Sequence, residues 1–306
     1  MNTTPSFTHT LRQRWQAADS MLCVGLDPDP ARIPAHLGTG PEAIDRFCRD
    51  IIAATADTVC AFKPQIAYFA AQGAEDVLAG LIAHIHAEHP GIPVILDAKR
   101  GDIGSTARQY GVEAFDRFKA DALTLSPFMG FDSIEPYFEW AGRGLILLCR
   151  TSNPGGNDLQ ALSVLPAGNA TGTPPGAPSP RQSASDTTSS AQPEKLYEHL
   201  ARLAAGPWNV SGELGLVVGA TFPDELARVR ALAPRLPLLV PGVGAQGGDV
   251  NATVRAGLDA DGYGLVINSS RAILYAGQDT DFADQARKAA VATRDAIRAA
   301  RDAARA

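Results

Sequence analysis

Short apolar runs recur along the chain, and each gives way to polar residues and then to a stretch with helical spacing. Runs over 21–26, 59–62, 94–96, 121–125, 144–149, 214–219, 236–240 and 264–268 predict eight strands. A short helix over 11–18 precedes the first. Further helices are predicted over 41–57, 67–89, 106–119, 134–140, from 193 onward, and over 223–233, 249–256 and 282–300. In 67–89 the apolar positions Val77, Leu78, Leu81, Ile82 and Ile85 fall on one helical face. Thr221 reads as the N-cap of 223–233, with Asp224 and Glu225 in its first turn. Strict strand–helix alternation, with no break in composition, predicts a single-domain (β/α)8 TIM barrel; an open doubly wound sheet is the runner-up.

One segment departs from this pattern. Between 163 and 192 the chain is Pro, Gly, Ser, Thr and Ala with almost no large apolar side chain. Such a stretch has too little to bury to offset its ordering entropy, so it reads as a disordered surface insertion after strand five, without chemistry of its own.

Composition narrows the class. The chain has 306 residues, is 45% hydrophobic, and carries a net charge of −6. The negative balance without a basic cluster argues against a nucleic-acid partner. No run of eighteen apolar residues predicts a membrane span, and 1–14 lacks the apolar core of a signal peptide. Cys23, Cys48, Cys60 and Cys149 show no C-x-x-C spacing, which suits a reduced cytoplasmic protein without disulfides. His84, His86 and His89 cluster at a helix end and lack metal-ligand spacing. Of 27 cationic residues only five are Lys, yet Lys63 and Lys99 stand at strand ends. Lysine is the cation able to give up a proton.

The charged strand ends are the candidate site. Asp97 and Lys99 follow the apolar run 94–96; on a strand they share a face, and Asp102 follows at the turn made by Gly101. In a barrel the carboxyl ends share one rim, which here collects Asp27, Lys63, Asp97, Lys99, Ser126, Ser152, Pro241 and Arg271. The Gly-rich loop 241–249, with Ser270 and Arg271 after the next strand, suits a phosphate grip.

The segment D-A-K-R-G-D-I-G-S-T, Asp97 to Thr106, resembles the signature of the orotidine 5′-phosphate decarboxylase family. V-G-L-D-P at 24–28 and R-T-S-N-P-G at 150–155 resemble its longer, type 2 subfamily. The resemblance implies decarboxylation of orotidine 5′-phosphate to UMP and CO2 in pyrimidine biosynthesis, without a cofactor or metal. It assigns Lys63, Asp97, Lys99 and Asp102 to an alternating catalytic array, with Lys99 as proton donor to C6. It places Asp27 and Lys63 on the ribose, Ser152 and Pro241 at the pyrimidine, and Gln246 and Arg271 on the phosphate. Ser270 stands where the family often has Gly. Asp102, Ile103 and Thr106 are implied to reach into a neighbouring subunit's site, hence a homodimer. Two alternatives remain: a magnesium-dependent sugar-phosphate enzyme that shares the D-x-K-x-x-D element but has an acid where Lys63 stands, and a non-catalytic phosphate-binding barrel.

Overall fold

Leu22–Leu26, buried at all five positions, forms β1. Leu214–Val218 (labelled β8 below) and Leu265–Ser269 (β10) are buried throughout in the same way. Strands that are apolar on both faces belong to a parallel sheet covered on both sides. The computed structural model describes residues 6–165, 192–242 and 249–305. In chain order the strands are β1, β2 (Ala61–Pro64), β3 (Ile95–Arg100), β4 (Ala122–Leu125), β5 (Gly144–Arg150), β6 (Ser163–Val164), β7 (Glu194–Lys195), β8, β9 (Leu238–Pro241) and β10.

Eight of these pair in parallel in the order β2-β1-β10-β9-β8-β5-β4-β3. The two ends of that order meet through parallel bridges Phe62↔Val94 and Gln65↔Asp97, so the sheet closes on itself. The predicted (β/α)8 barrel is the observed fold.

Helices α1 (Phe7–Ala18), α2 (Gly40–Thr55), α3 (Ile66–Ala70), α4 (Glu75–Glu88), α5 (Gly104–Gly111), α6 (Leu196–Ala205), α7 (Pro223–Leu232), α8 (Val250–Gly257), α9 (Arg271–Leu274) and α10 (Phe282–Arg305) surround it. α2 shows the logic: Ala43, Ile44, Phe47, Cys48, Ile51 and Ile52 face the barrel at helical spacing. α1 instead covers the amino ends of the strands. Its Phe7 N–H donates to Gly142 O at 2.9 Å, just ahead of β5, and Trp15 stacks on Tyr263, just ahead of β10. The carboxyl rim is therefore the open end.

Several element predictions need correction. The helix predicted over 67–89 is two helices, because the chain turns at Gly73, whose φ of +58° is left-handed. The helix predicted over 106–119 starts at Gly104 and widens to π-helical turns over Val112–Arg117. The helix over 134–140 is 3₁₀, with Pro136 in its first turn. Thr221 does not cap α7: the cap is Phe222, without a side-chain bond. β3 does not stop at Leu96 but carries its charged residues inside the strand.

The insertion is shorter than predicted. Ser163 and Val164 pair antiparallel with Lys195 and Glu194, so 163–164 belong to a small ribbon, and 166–191 lie outside the described residues. His86, in the last turn of α4, pairs through Nε2 with Asp121 Oδ2 at 2.9 Å, across to the start of β4. All four cysteines are free and buried.

The ribbon holds the ends of the insertion together, and its composition offers little to bury. Replacing 166–191 by a short Gly/Ser turn is expected to change stability by no more than about 0.5 kcal/mol, a shift of about 1–2 °C in Tm. Calorimetry of both chains checks this, and a fall beyond about 5 °C would show that the segment packs on the barrel.

Candidate active site

Three charged side chains meet inside the rim at the seam between β2 and β3. The Lys63 ammonium, only 4% exposed, donates to Asp97 Oδ2 at 2.7 Å. The Lys99 ammonium donates to the other oxygen, Oδ1, at 2.5 Å, on a side chain that is 46% exposed. Lys63 is thus sealed in the barrel, while Lys99 reaches the open cavity.

The charges reinforce one another. Burial alone would raise the Asp97 pKa, but Lys63 and then Lys99 outweigh it and hold the carboxyl well below the usual carboxylate range. Burial would likewise lower Lys63, but Asp97 and then Asp27 reverse this and hold its ammonium well above the ordinary lysine range. Both groups are charged at neutral pH, and both Asp97 oxygens are occupied by ammonium groups. Among the described residues no cluster of three or more His, Cys, Asp or Glu is placed to hold a metal ion.

A cavity of about 530 Å³ opens above this array, and Asp27, Lys63, Asp97, Lys99, Ser152, Pro241, Ser270 and Arg271 all line it. Asp27 follows β1, and Tyr275 fixes its backbone by donating to Asp27 O at 2.8 Å. Asp27 Oδ1 is buried without a hydrogen-bond partner among the described residues, as is Asn268 Oδ1. Two unpartnered acceptors on one cavity wall suit a ligand that brings hydroxyl donors. Ser152 lies against Gly219, where an added Cβ would stand 2.8 Å from the Ser152 backbone. Arg271 opens α9 directly after β10 and lines the same cavity.

Four predicted site residues lie elsewhere. Ser126 does not line the cavity: its N–H donates to Arg100 O at 2.7 Å, and it packs under Gly101. Asp102, Ile103 and Thr106 do not line it either. Asp102 Oδ1 accepts from the Ile103 N–H at 2.8 Å, and Ile103 and Thr106 are exposed. Gln246 falls outside the described residues.

Sequence reasoning missed three contributors. Thr124 lines the cavity and donates from Oγ1 to Asp97 Oδ1 at 3.0 Å; as a β-branched residue in an apolar run it gave no signal. Asn268 was read only as the end of a strand. Arg150 was read as the start of the loop motif, but it is 2% exposed and anchors that loop. Its guanidinium donates to Glu225 Oε2 and Asn157 Oδ1, each at 2.6 Å, while Gln160 Oε1 accepts from the Thr151 N–H at 2.8 Å. An Arg following five apolar strand residues was the available signal.

A sequence profile of the orotidine 5′-phosphate decarboxylase / HUMPS family matches residues 20–170. An orotidine 5′-phosphate decarboxylase of Azoarcus sp. (strain BH72) is 62% identical over 295 residues, 96% of this chain and 99% of the relative. One of Aromatoleum aromaticum is 62% identical over 291 residues, 95% of this chain and 98% of the relative. The solved OMP decarboxylase of Leishmania donovani superposes with a TM-score of 0.77 at 39% identity, covering 97% of this chain and 99% of that one.

The ion pair has a defined pH signature. Asp97 has a depressed folded pKa, so its stabilisation is present above the unfolded value of about 3.9 and is lost as pH falls through the folded one. Asp97→Asn, which strands a buried ammonium, is expected to cost about 3–5 kcal/mol. The gap in unfolding free energy between wild type and variant should stay constant from about pH 7 to pH 5 and narrow only below about pH 4. Urea titrations across that range measure it. A gap that stayed flat down to about pH 3 would mean that Asp97 binds its proton in the ordinary range, and one that widened as pH fell would place its folded pKa above that range.

Proposed function

The chain belongs to the orotidine 5′-phosphate decarboxylase family, and on that premise we propose how its rim carries out the reaction. The enzyme converts orotidine 5′-phosphate to UMP and CO2, a step of pyrimidine biosynthesis. The observation that carries the mechanism is the Lys63–Asp97–Lys99 array, with Lys99 facing the same cavity as Arg271.

Loss of CO2 breaks the bond between C6 and its carboxyl carbon and leaves the electron pair on C6. Water stabilises such a carbanion poorly. Lys99, a fixed ammonium at the cavity floor, stabilises the developing charge and then delivers its proton to C6. Asp97 has both oxygens engaged by ammonium groups, which favours its orienting Lys99 over acting chiefly by repulsion of the substrate. The same occupancy disfavours the magnesium reading, since Asp97 has no oxygen left facing only the cavity and Lys63 adds positive charge there.

Arg271 suits the phosphate, and the unpartnered Asp27 and Asn268 oxygens suit ribose hydroxyls. Ser152 and Pro241 would meet the pyrimidine, with Ser270 and Gln246 on the phosphate side. Binding of the phosphate, remote from C6, supplies energy that positions the ring.

Asp102, Ile103 and Thr106 complete the site from a second copy in this reading, making the enzyme a homodimer. Ile103 is 48% exposed and Phe128, on the next loop, 79% exposed, an apolar surface of the kind that a partner covers. Reduced buried thiols suit the cytoplasm. Among the described residues no helix is long and apolar enough to cross a membrane.

Lys99→Ala is expected to lower kcat by at least about 10³-fold, about 4 kcal/mol, while UMP still binds. The fall in ultraviolet absorbance of orotidine 5′-phosphate follows turnover, and titration calorimetry follows UMP. Near-native kcat would remove Lys99 from the proton transfer.

Shared sites make a second expectation. Lys99→Ala and Asp102→Ala chains, each inactive alone, are mixed under conditions of subunit exchange. Random pairing makes about half of the dimers mixed, each with one intact site, so roughly a quarter of wild-type activity should return. Silence after exchange has been verified with a size tag would place Asp102 in its own chain's site.

A further inference from the structure

Between Leu96 and Arg100 the β3–β4 pairing slips. Leu96 pairs with Leu123 and Arg100 with Leu125, so three β3 residues, Asp97, Ala98 and Lys99, stand opposite the single residue Thr124. Such a bulge frees backbone N–H groups that a regular ladder would bond. The Thr124 hydroxyl takes two of them: Oγ1 accepts from Ala98 N at 3.0 Å and from Lys99 N at 2.9 Å. Its own proton goes to Asp97 Oδ1 at 3.0 Å. One donor and two acceptor positions are thereby all used.

The residue held this way is unusual. Lys99 has a φ of +48°, in the left-handed region that a side chain with a Cβ occupies at a cost. Thr124 Oγ1 is the side-chain acceptor for both the Ala98 and the Lys99 N–H groups. The left-handed turn is what brings the Lys99 ammonium round to the Asp97 oxygen that Thr124 also holds.

We infer that Thr124 is a positioning residue for the decarboxylation: its hydroxyl fixes the Lys99 backbone and the Asp97 carboxylate in one geometry, and so aims the ammonium. The inference rests on the proposed role of Lys99. It assigns Thr124 no contact with the reacting carbon. Threonine suits the task because its branched Cβ restricts the χ1 rotamer in a strand, and 1% exposure keeps water from competing for the hydroxyl.

Thr124→Val keeps the shape and removes the hydroxyl. It is expected to lower kcat by about 100-fold, the scale of an ångström-sized misplacement, with KM within about threefold of wild type. Thr124→Ser restores the hydroxyl and should return kcat to within about tenfold of wild type. Kinetics of orotidine 5′-phosphate turnover, with wild type alongside, read both. Wild-type kcat in Thr124→Val would overturn the inference, as would Ser and Val variants equally impaired, which would mean packing alone. Should Thr124→Val fail to fold, Thr124→Ser and Thr124→Ala, both lacking the methyl, make the same comparison. A kcat for Ser well above that for Ala supports the inference, and equal values sink it. Absence of turnover in the wild type would overturn the activity itself, an outcome distinct from all of these.

Discussion

The Asp97 carboxylate, shared between two ammonium groups, sits where the barrel closes. β2 and β3 end the strand order and meet through only two backbone bridges, and one of these ends on Asp97 itself. The Lys63–Asp97 pair spans that seam with its charges buried. Removing two charges from water is costly, and well-packed apolar residues often serve stability as well or better. The seam is therefore better explained by chemistry than by stability. Under the role proposed for Lys99, a low-dielectric floor strengthens the field it presents to the cavity, and a fixed array needs no reorganisation during the reaction.

The loops above the floor are held by polar side chains that never face the ligand. Arg150, at the end of β5, binds Glu225 of α7 and Asn157 of its own loop, which ties the Ser152 segment to the following helix. Tyr275 bridges Asp27 O and Asp29 N after β1, and so links the first loop to the end of α9. Such supporting bonds keep binding groups within the narrow tolerance that catalysis needs.

The barrel was legible because a parallel sheet covered on both sides writes its strands as apolar runs, as in β1, β8 and β10. The charged residues stood out against those runs, so Lys63, Asp97 and Lys99 could be read as one group. What escaped the sequence reading was set by tertiary contact. Thr124 looked like any strand-forming residue, since nothing in a linear pattern shows a three-against-one bulge opposite it. The long helix broke at Gly73 because the chain had to turn. The π-helical widening after Gly111 had no counterpart in the apolar spacing. Asp102, Ile103 and Thr106 do not line the cavity of their own chain, as the resemblance had implied.

The seal that α1 forms over the amino ends of the strands separates two kinds of change. Phe7, Leu11 and Trp15 work at one pole of the barrel, and Lys99 and Arg271 at the other, with the strand layers between them. Mutational drift beneath the seal bears on how long the fold lasts, whereas at the rim the buried Lys63–Asp97 pair ties the stability of the fold to the charge array itself. Heat tolerance can therefore be tuned from the amino pole without touching the rim, while a change at Lys63 or Asp97 moves both at once.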